Sequence, residues 1–554
     1  MKTMRKWIGI LLCAALLAGL LSACGKDQDE QDNNYIELDD TVSGETLTSG
    51  KAADDVFSLS VDFNKPLNPI TTTSSLNQMV GDLVYDRLFE VDGNFNVTSR
   101  ILSDWYYSKN EGSAGVWVLT LRPDILMHDG EPMTANDVVY SLSRVFTSGS
   151  THYMQQMSRI YVSGYQGQIY IAGDYDNGLL IQRLAVPIIR GGTDAILANI
   201  PVGSGPYRYS EDGTTLEKFD CYEFADDLPV DTIHLRQYQG PEELITEYES
   251  ALVDLVVNDP TNIYNMGYGG KNEKRTIYTG NMHFICFHSN STFFRYDAYR
   301  TAMNYIIDRA GIAQDVLDGA ADGAAIPIHP NSSLYDPVFA AQYEYNPEKC
   351  VAELGKGGCR DLDGDGNLEF ALSGNKVDIV LNFVVCADNA AKVQAARKIA
   401  EDLRAIGLPV NLRELTWKEY IAALRYDPND EDIKEEDRPT WTWDMYYGEI
   451  GLTGDWNTLT LFTGDWFEDG TLNYGRWSMD ALDAAVHTYL GAVEEERKAA
   501  QTAMLQTLVS SSPFVTVCFE RREAISHVGV IAGMEPNQYN VFHGIDNWNI
   551  DLSK

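Results

Sequence analysis

One stretch constrains the fold of this chain more than any other: Val116 to Val145, VWVLTLRPDILMHDGEPMTANDVVYSLSRV. Its first six residues alternate, with Val116, Val118 and Thr120 on one face and Trp117, Leu119 and Leu121 on the other. Both faces are largely apolar, which predicts a strand covered on both sides. Pro123 and the His128-Asp129-Gly130 corner break it, and Asp-Gly corners are turn chemistry, so His128 and Asp129 read as turn-formers rather than as reactive groups. Thr134 followed by Asp137 makes a helix N-cap with an acid where the helix dipole favours it. Val138, Val139, Leu142 and Val145 then recur at helical spacing. The prediction is strand, turn, capped helix.

The wording of this run adds a second constraint. Leu121-Arg122-Pro123, His128-Asp129-Gly130-Glu131-Pro132 and Asn136-Asp137-Val138-Val139-Tyr140-Ser141-Leu142 resemble the signature of the family 5 solute-binding proteins of ABC importers, the dipeptide and oligopeptide receptors. Leu67-Asn68-Pro69, Tyr85 to Glu90, Tyr299 to Arg309, Trp417 to Tyr420, Asn473 to Trp477 and Met479 to Asp483 extend the likeness from about Val56 to the C-terminus. Pro201-Val202-Gly203-Ser204-Gly205-Pro206-Tyr207 is similar to the family's crossing between lobes, where glycines permit unusual backbone angles. The spacing there is not the Gly-x-Ser-x-Gly of a nucleophile elbow. The resemblance implies an α/β, two-lobed periplasmic-binding-protein-like fold (type II, cluster C) with an extra subdomain in the first lobe. Its expected division is residues 56–90 with 201–285 and 521–554 for the core of lobe I, 91–200 for the extra subdomain and 286–520 for lobe II.

Residues 1–23 read as a signal peptide. Lys2, Arg5 and Lys6 precede an apolar run too short to span a bilayer comfortably. It ends Leu21-Ser22-Ala23-Cys24, which resembles a bacterial lipobox, so Cys24 is the expected lipidation site and multiple acyl chains the membrane anchor. Residues 24–55 are polar, acidic and aromatic-poor, the composition of a flexible tether. The formal charge of −39 over 554 residues argues against nucleic acid and against anionic lipid as partners. The expected location is the extracytoplasmic face of a bacterial membrane, and the expected state a monomer.

Ligand recognition is placed in two runs. The resemblance implies that the loop after the first strand lines the cleft, which makes Thr73, Ser74 and Ser75 candidate hydrogen-bonding residues, with cap hydroxyls as the plain alternative. The second run is Thr442 to Asn457, with Trp443, Asp444, Tyr446, Tyr447, Glu449, Asp455 and Trp456. In peptide receptors of the family an aspartate near here meets the ligand's α-amino group, and a buried ammonium does need a fixed carboxylate. The choice between Asp455, Asp444 and Glu449 stays open, because the wording departs from the family's Trp-x-x-Asp-Tyr. Core aromatics and solvated acids are the alternative.

Other chemistry is thin. Asp361-Leu362-Asp363-Gly364-Asp365-Gly366 fits the start of a calcium loop, but position twelve is Leu372, so a metal-free acidic turn is the better reading. Cys350 and Cys359 are the one close cysteine pair that an exported protein could join. His283, Cys286 and His288 cluster on what reads as a buried strand. Ser373-Gly374-Asn375-Lys376 lacks the companion motifs of penicillin-interacting enzymes. No cofactor or catalytic residue is expected. Residues 376–415 give the clearest strand-helix-strand pattern, with Gly407 and Pro409 stopping the helix. The resulting expectation is a receptor that binds short peptides and hands them to an ABC permease and its ATPase. An oligosaccharide or nickel complex on the same fold, a surface hydrolase, and a sensory receptor are the alternatives.

Overall fold

The computed structural model describes residues 55–109, 115–147, 160–165, 167–173, 177–194, 200–261, 267–372, 375–426, 441–463 and 472–553. Cys24, the tether up to residue 54 and Ser373 lie outside the described residues. Among the described residues no helix is long and apolar enough to cross a membrane.

The first lobe is built on two four-stranded sheets. Phe57–Val61 is buried along its whole length, Ser58 and Ser60 included, and pairs in parallel with Thr232–Gln237; Thr215–Lys218 and Tyr207–Tyr209 extend the sheet. The second sheet is antiparallel, in the order Leu102–Ser108, Val116–Leu121, Gln168–Gly173, Ile160–Tyr165. Trp117 and Leu119 face the core, while Val116 and Thr120 on the other face stay half-buried. The helix Ala135–Thr147 starts as predicted: Asp137 Oδ2 accepts from the Thr134 amide at 2.8 Å and the Thr134 hydroxyl at 2.7 Å.

The turn between them does more than reverse the chain. The His128 amide donates to Gly203 O at 2.8 Å, and its Nε2 meets Gly205 O at 3.0 Å. Burial pulls the imidazole down to about 4, so it is neutral at pH 7 and Nε2–H is the donor. His128 therefore staples the Val116–Val145 run to the Gly203-Ser204-Gly205 run. That glycine run corrects two expectations. It stays inside the first lobe, where Gly205 N and Tyr207 N donate to Val84 O and Leu83 O at 2.9 and 3.0 Å. Its glycines answer to close approach rather than to unusual angles. A Cβ on Gly203 would lie 2.2 Å from Val84 O, and one on Gly205 2.7 Å from Leu83 O.

The lobes are joined by two long strands. Asn272–Phe287 has 16 residues, about 50 Å at the usual rise, and pairs antiparallel with the 14-residue strand Phe514–His527. Both contribute to the first lobe's apolar core at one end and to the second lobe's at the other. Thr279, Gly280 and Asn281 stand opposite the single residue Glu520, so the ladder changes register at the crossing, and it shifts once more at Val517, between His283 and Phe284. The sheet continues into the second lobe through Met445–Gly451, Leu381–Cys386 and Val410–Leu415. The last two are parallel and joined by the helix Ala390–Ala405, as the pattern predicts. The first of them begins later than expected: Asn375–Asp378 turns back on Glu369–Leu372 as a separate hairpin.

Candidate ligand-binding site

The strand Met445–Gly451 measures out the second candidate run. It is antiparallel to Asn272–Phe287, so its start lies at the far end of the second lobe and its end reaches the crossing, where Leu452 N donates to Gly280 O at 2.8 Å. Seven residues span about 20 Å, so one small ligand cannot touch both Asp444 and Asp455.

Between these ends the side chains alternate into two cores. Tyr446 packs among Phe284, Trp443, Tyr420 and Tyr474. Tyr447 faces the opposite core and bonds His283 Nδ1 at 2.8 Å. Both tyrosines are 2 % exposed, which makes them core aromatics. At the far end, Trp443 and Asp444 line a pocket that opens to solvent, with His288, Ser291, Trp441 and Arg476. Asp444 is tied into the fold there. Its Oδ1 accepts from the Ser291 hydroxyl at 2.6 Å and its Oδ2 from Asn382 N at 2.9 Å. Burial raises its pKa against those two donors. Burial, then Arg476, lowers His288 to about 4.

The near end faces the first lobe. Glu449 pairs with Lys392, and one turn earlier Asn389, the N-cap of its helix, reaches across to Thr261 O at 3.0 Å. Asp455 is fully buried; Arg183 Nε of the first lobe donates to its Oδ2 at 2.5 Å and the Thr453 hydroxyl to its Oδ1 at 2.7 Å. Trp456 packs on Phe95, with ring centres 4.9 Å apart, and donates from Nε1 to Ser332 Oγ at 3.2 Å. Phe95 comes from the first lobe, so the two lobes share an apolar seam here. Phe95 and Trp456 both have positive φ, 62° and 53°, a region that bulky residues rarely adopt.

Sequence reasoning did not find Arg183, Lys392, Asn389 or Phe95. Arg183 had a readable signal: a lone cation inside the apolar run Leu179 to Val186 must find a partner when that run is buried. The other three had none, because only the tertiary fold brings them to the seam. In the first lobe, Ser74 is the N-cap of Ser75–Gly81, accepting from Asn77 N at 3.4 Å, and Thr73 and Ser75 are exposed.

At the crossing, Glu520 holds the bulge together. Its carbonyl accepts from Thr279 Oγ1 at 2.7 Å, its Oε2 from Asn281 Nδ2 at 3.0 Å, and its Oε1 bonds His283 Nε2 at 2.8 Å. Burial works to lower the pKa of the fully buried His283, but Cys518 and Glu520 beside it raise it, while the imidazolium lowers that of Glu520 against burial. His283 thus pairs with Glu520 and Tyr447 rather than with Cys286 or His288. Elsewhere, Asp361, Asp363, Asp365 and Glu369 bring carboxylate oxygens within 4.8 Å of one another, with Lys376 paired to Asp363 at 2.6 Å. Cys350 and Cys359 are buried free thiols, which burial pushes up to about 12.

Residues 97–470 match the family model for bacterial extracellular solute-binding proteins, family 5. The chain belongs to this family. The oligopeptide-binding protein AppA of Bacillus subtilis is 22% identical over 447 residues, 76% of this chain and 79% of AppA. The solved structure of that AppA with a nonapeptide superposes with a TM-score of 0.55 at 18% identity, covering 89% of this chain and 99% of that one. NikZ of Campylobacter jejuni, solved with Ni(L-His), gives 0.61 at 17% identity over 89% and 99%. At these identities the structural likeness establishes the two-lobed α/β fold and no more. As a family 5 solute-binding protein, the chain carries its lobes on the two long crossing strands, and its relatives are binding proteins rather than enzymes.

Proposed function

We propose that this family 5 protein is a lipid-anchored, extracytoplasmic receptor that captures short peptides between its lobes and delivers them to an ABC permease and its ATPase. It acts as a monomer on the outer face of the membrane, held by diacylated Cys24 and the tether that follows. The proposed division is 56–90 with 201–285 and 521–554 for the core of lobe I, 91–200 for the extra subdomain and 286–520 for lobe II. The observation that carries the reading is the pair of crossing strands interrupted at Thr279-Gly280-Asn281, since a clamp needs two rigid bodies on a narrow joint. A ligand that touches both bodies shifts them toward closure by its differential affinity. Supporting the peptide class is the AppA relationship over most of both chains. A nickel complex is the second reading, favoured by relatives such as the nickel-binding periplasmic protein of Escherichia coli, 22% identical over 372 residues, 63% of this chain and 68% of that one.

A thermal-shift screen of peptides of two to nine residues, oligosaccharides and nickel-histidine separates these classes, because a ligand that binds only the folded state raises Tm. A rise with peptides alone is expected. A rise with nickel-histidine or sugar alone, or turnover of any of them, overturns the peptide reading. The anchor is tested by Cys24→Ser, which should move the protein from the membrane fraction to the medium.

A further inference from the structure

Asp455 presents no surface to solvent. A carboxylate buried this completely must be neutralised within the fold, and its partner comes from the other lobe: Arg183 Nε on Oδ2 at 2.5 Å. The remaining oxygen is taken by the Thr453 hydroxyl at 2.7 Å. The surroundings leave the pair enclosed. A Cβ on Gly454 would lie 2.3 Å from Gln182 Oε1, the residue next to Arg183, and the ring of Phe95 closes on Trp456 on the other side. Trp456, next to Asp455 in the chain, and the Phe95 it packs on are both in the left-handed region. Strain of this kind persists only where its surroundings hold it in place.

We propose that Arg183 is the resident counter-ion of Asp455 and a specificity-determining residue of the ligand site. The inference rests on the receptor reading above. With the carboxylate neutralised from within, a ligand ammonium would meet the guanidinium charge and gain no acidic partner. Asp455 is therefore closed to the α-amino group that the family resemblance assigns to an acid in this neighbourhood. The ligand reaches this part of the seam with a neutral or anionic group, as an N-blocked peptide or one whose amine lies elsewhere would.

Two measurements on the full chain decide this. Calorimetric titration compares trialanine with N-acetyl-trialanine. The wild type should show no preference for the free amine beyond about twofold, whereas Arg183→Ala should prefer it tenfold or more, because the vacated site then offers a bare carboxylate. Independently of any physiological ligand, 20 mM ethylguanidinium or ethylammonium should raise the Tm of Arg183→Ala by several degrees and leave the wild type unmoved. A merely structural ion pair would give cation rescue without the change in peptide preference. A tenfold preference for the free amine in the wild type overturns the proposal, as does an equal response of both proteins to the cations. If neither peptide binds either protein, Arg183 sets no peptide preference and the proposal is overturned, whatever the cations do. If Arg183→Ala does not fold, Arg183→Met with Asp455→Asn should, since both charges are then gone. Unfolding of that neutral pair overturns the proposal as well. Failure of the ligand screen would sink the receptor reading while leaving the cation result standing.

Discussion

His128 shows how a residue's surroundings turn a turn-former into a structural donor. The sequence reads it as part of an Asp-Gly corner, which it is, but its ring also donates across to Gly205 O at 3.0 Å. Its folded pKa, about 4, lies below the ordinary 6.5. The unfolded chain therefore takes up a proton first as the pH falls, so the stabilisation is complete above about 6.5 and is lost as pH drops through about 4. Between pH 7 and pH 5 the wild type should lose about 2 kcal/mol from this residue. Urea unfolding of His128→Gln should show a loss smaller by that amount, and an equal loss would refute the neutral buried donor. Asp86 makes a second case. Its Oδ1 accepts from Arg100 Nε at 2.7 Å and its Oδ2 from the fully buried Ser204 hydroxyl at 2.6 Å. Asp86→Ala should cost about 3 kcal/mol in the same assay, because it leaves the half-buried Arg100 guanidinium without its acid.

Elements were legible wherever local chemistry decides them. The cap Thr134–Asp137 and the strand-helix-strand unit around Ala390–Ala405 both follow from spacing and capping residues a few positions apart. Thr134→Ala should cost about 1 kcal/mol, read from the urea midpoint. Where a residue's reason lies in a distant backbone, spacing could not supply it. Gly203 and Gly205 are glycines because Leu83 and Val84 pass beneath them, and Gly205→Ala should cost about 1–3 kcal/mol by forcing those two segments apart. The single strand expected at the start of residues 376–415 became two, since the hairpin Glu369–Leu372 with Asn375–Asp378 captures its first residues.

At the scale of the whole molecule, the bulge at Thr279-Gly280-Asn281 is where the two lobes change register. A Cβ on Gly280 would lie 1.9 Å from Leu452 O, so the second lobe's strand approaches the joint as closely as backbone allows. Gly280→Ala should lower Tm and reduce the ligand-induced compaction seen by small-angle scattering. An unchanged scattering response would place the joint elsewhere. The sequence by itself determined the family, the two-lobed α/β class and the few elements that carry their own caps and periodicity, because capping, periodicity and turn chemistry act over a few residues and a signature survives as wording. It did not determine which acid is available to a ligand. Asp444, Glu449 and Asp455 look alike in a string of letters. Their fates were decided by partners 153, 57 and 272 positions away, Ser291, Lys392 and Arg183. A carboxylate's readiness to bind depends on what else neutralises it, and only packing of the two lobes brings those partners within reach.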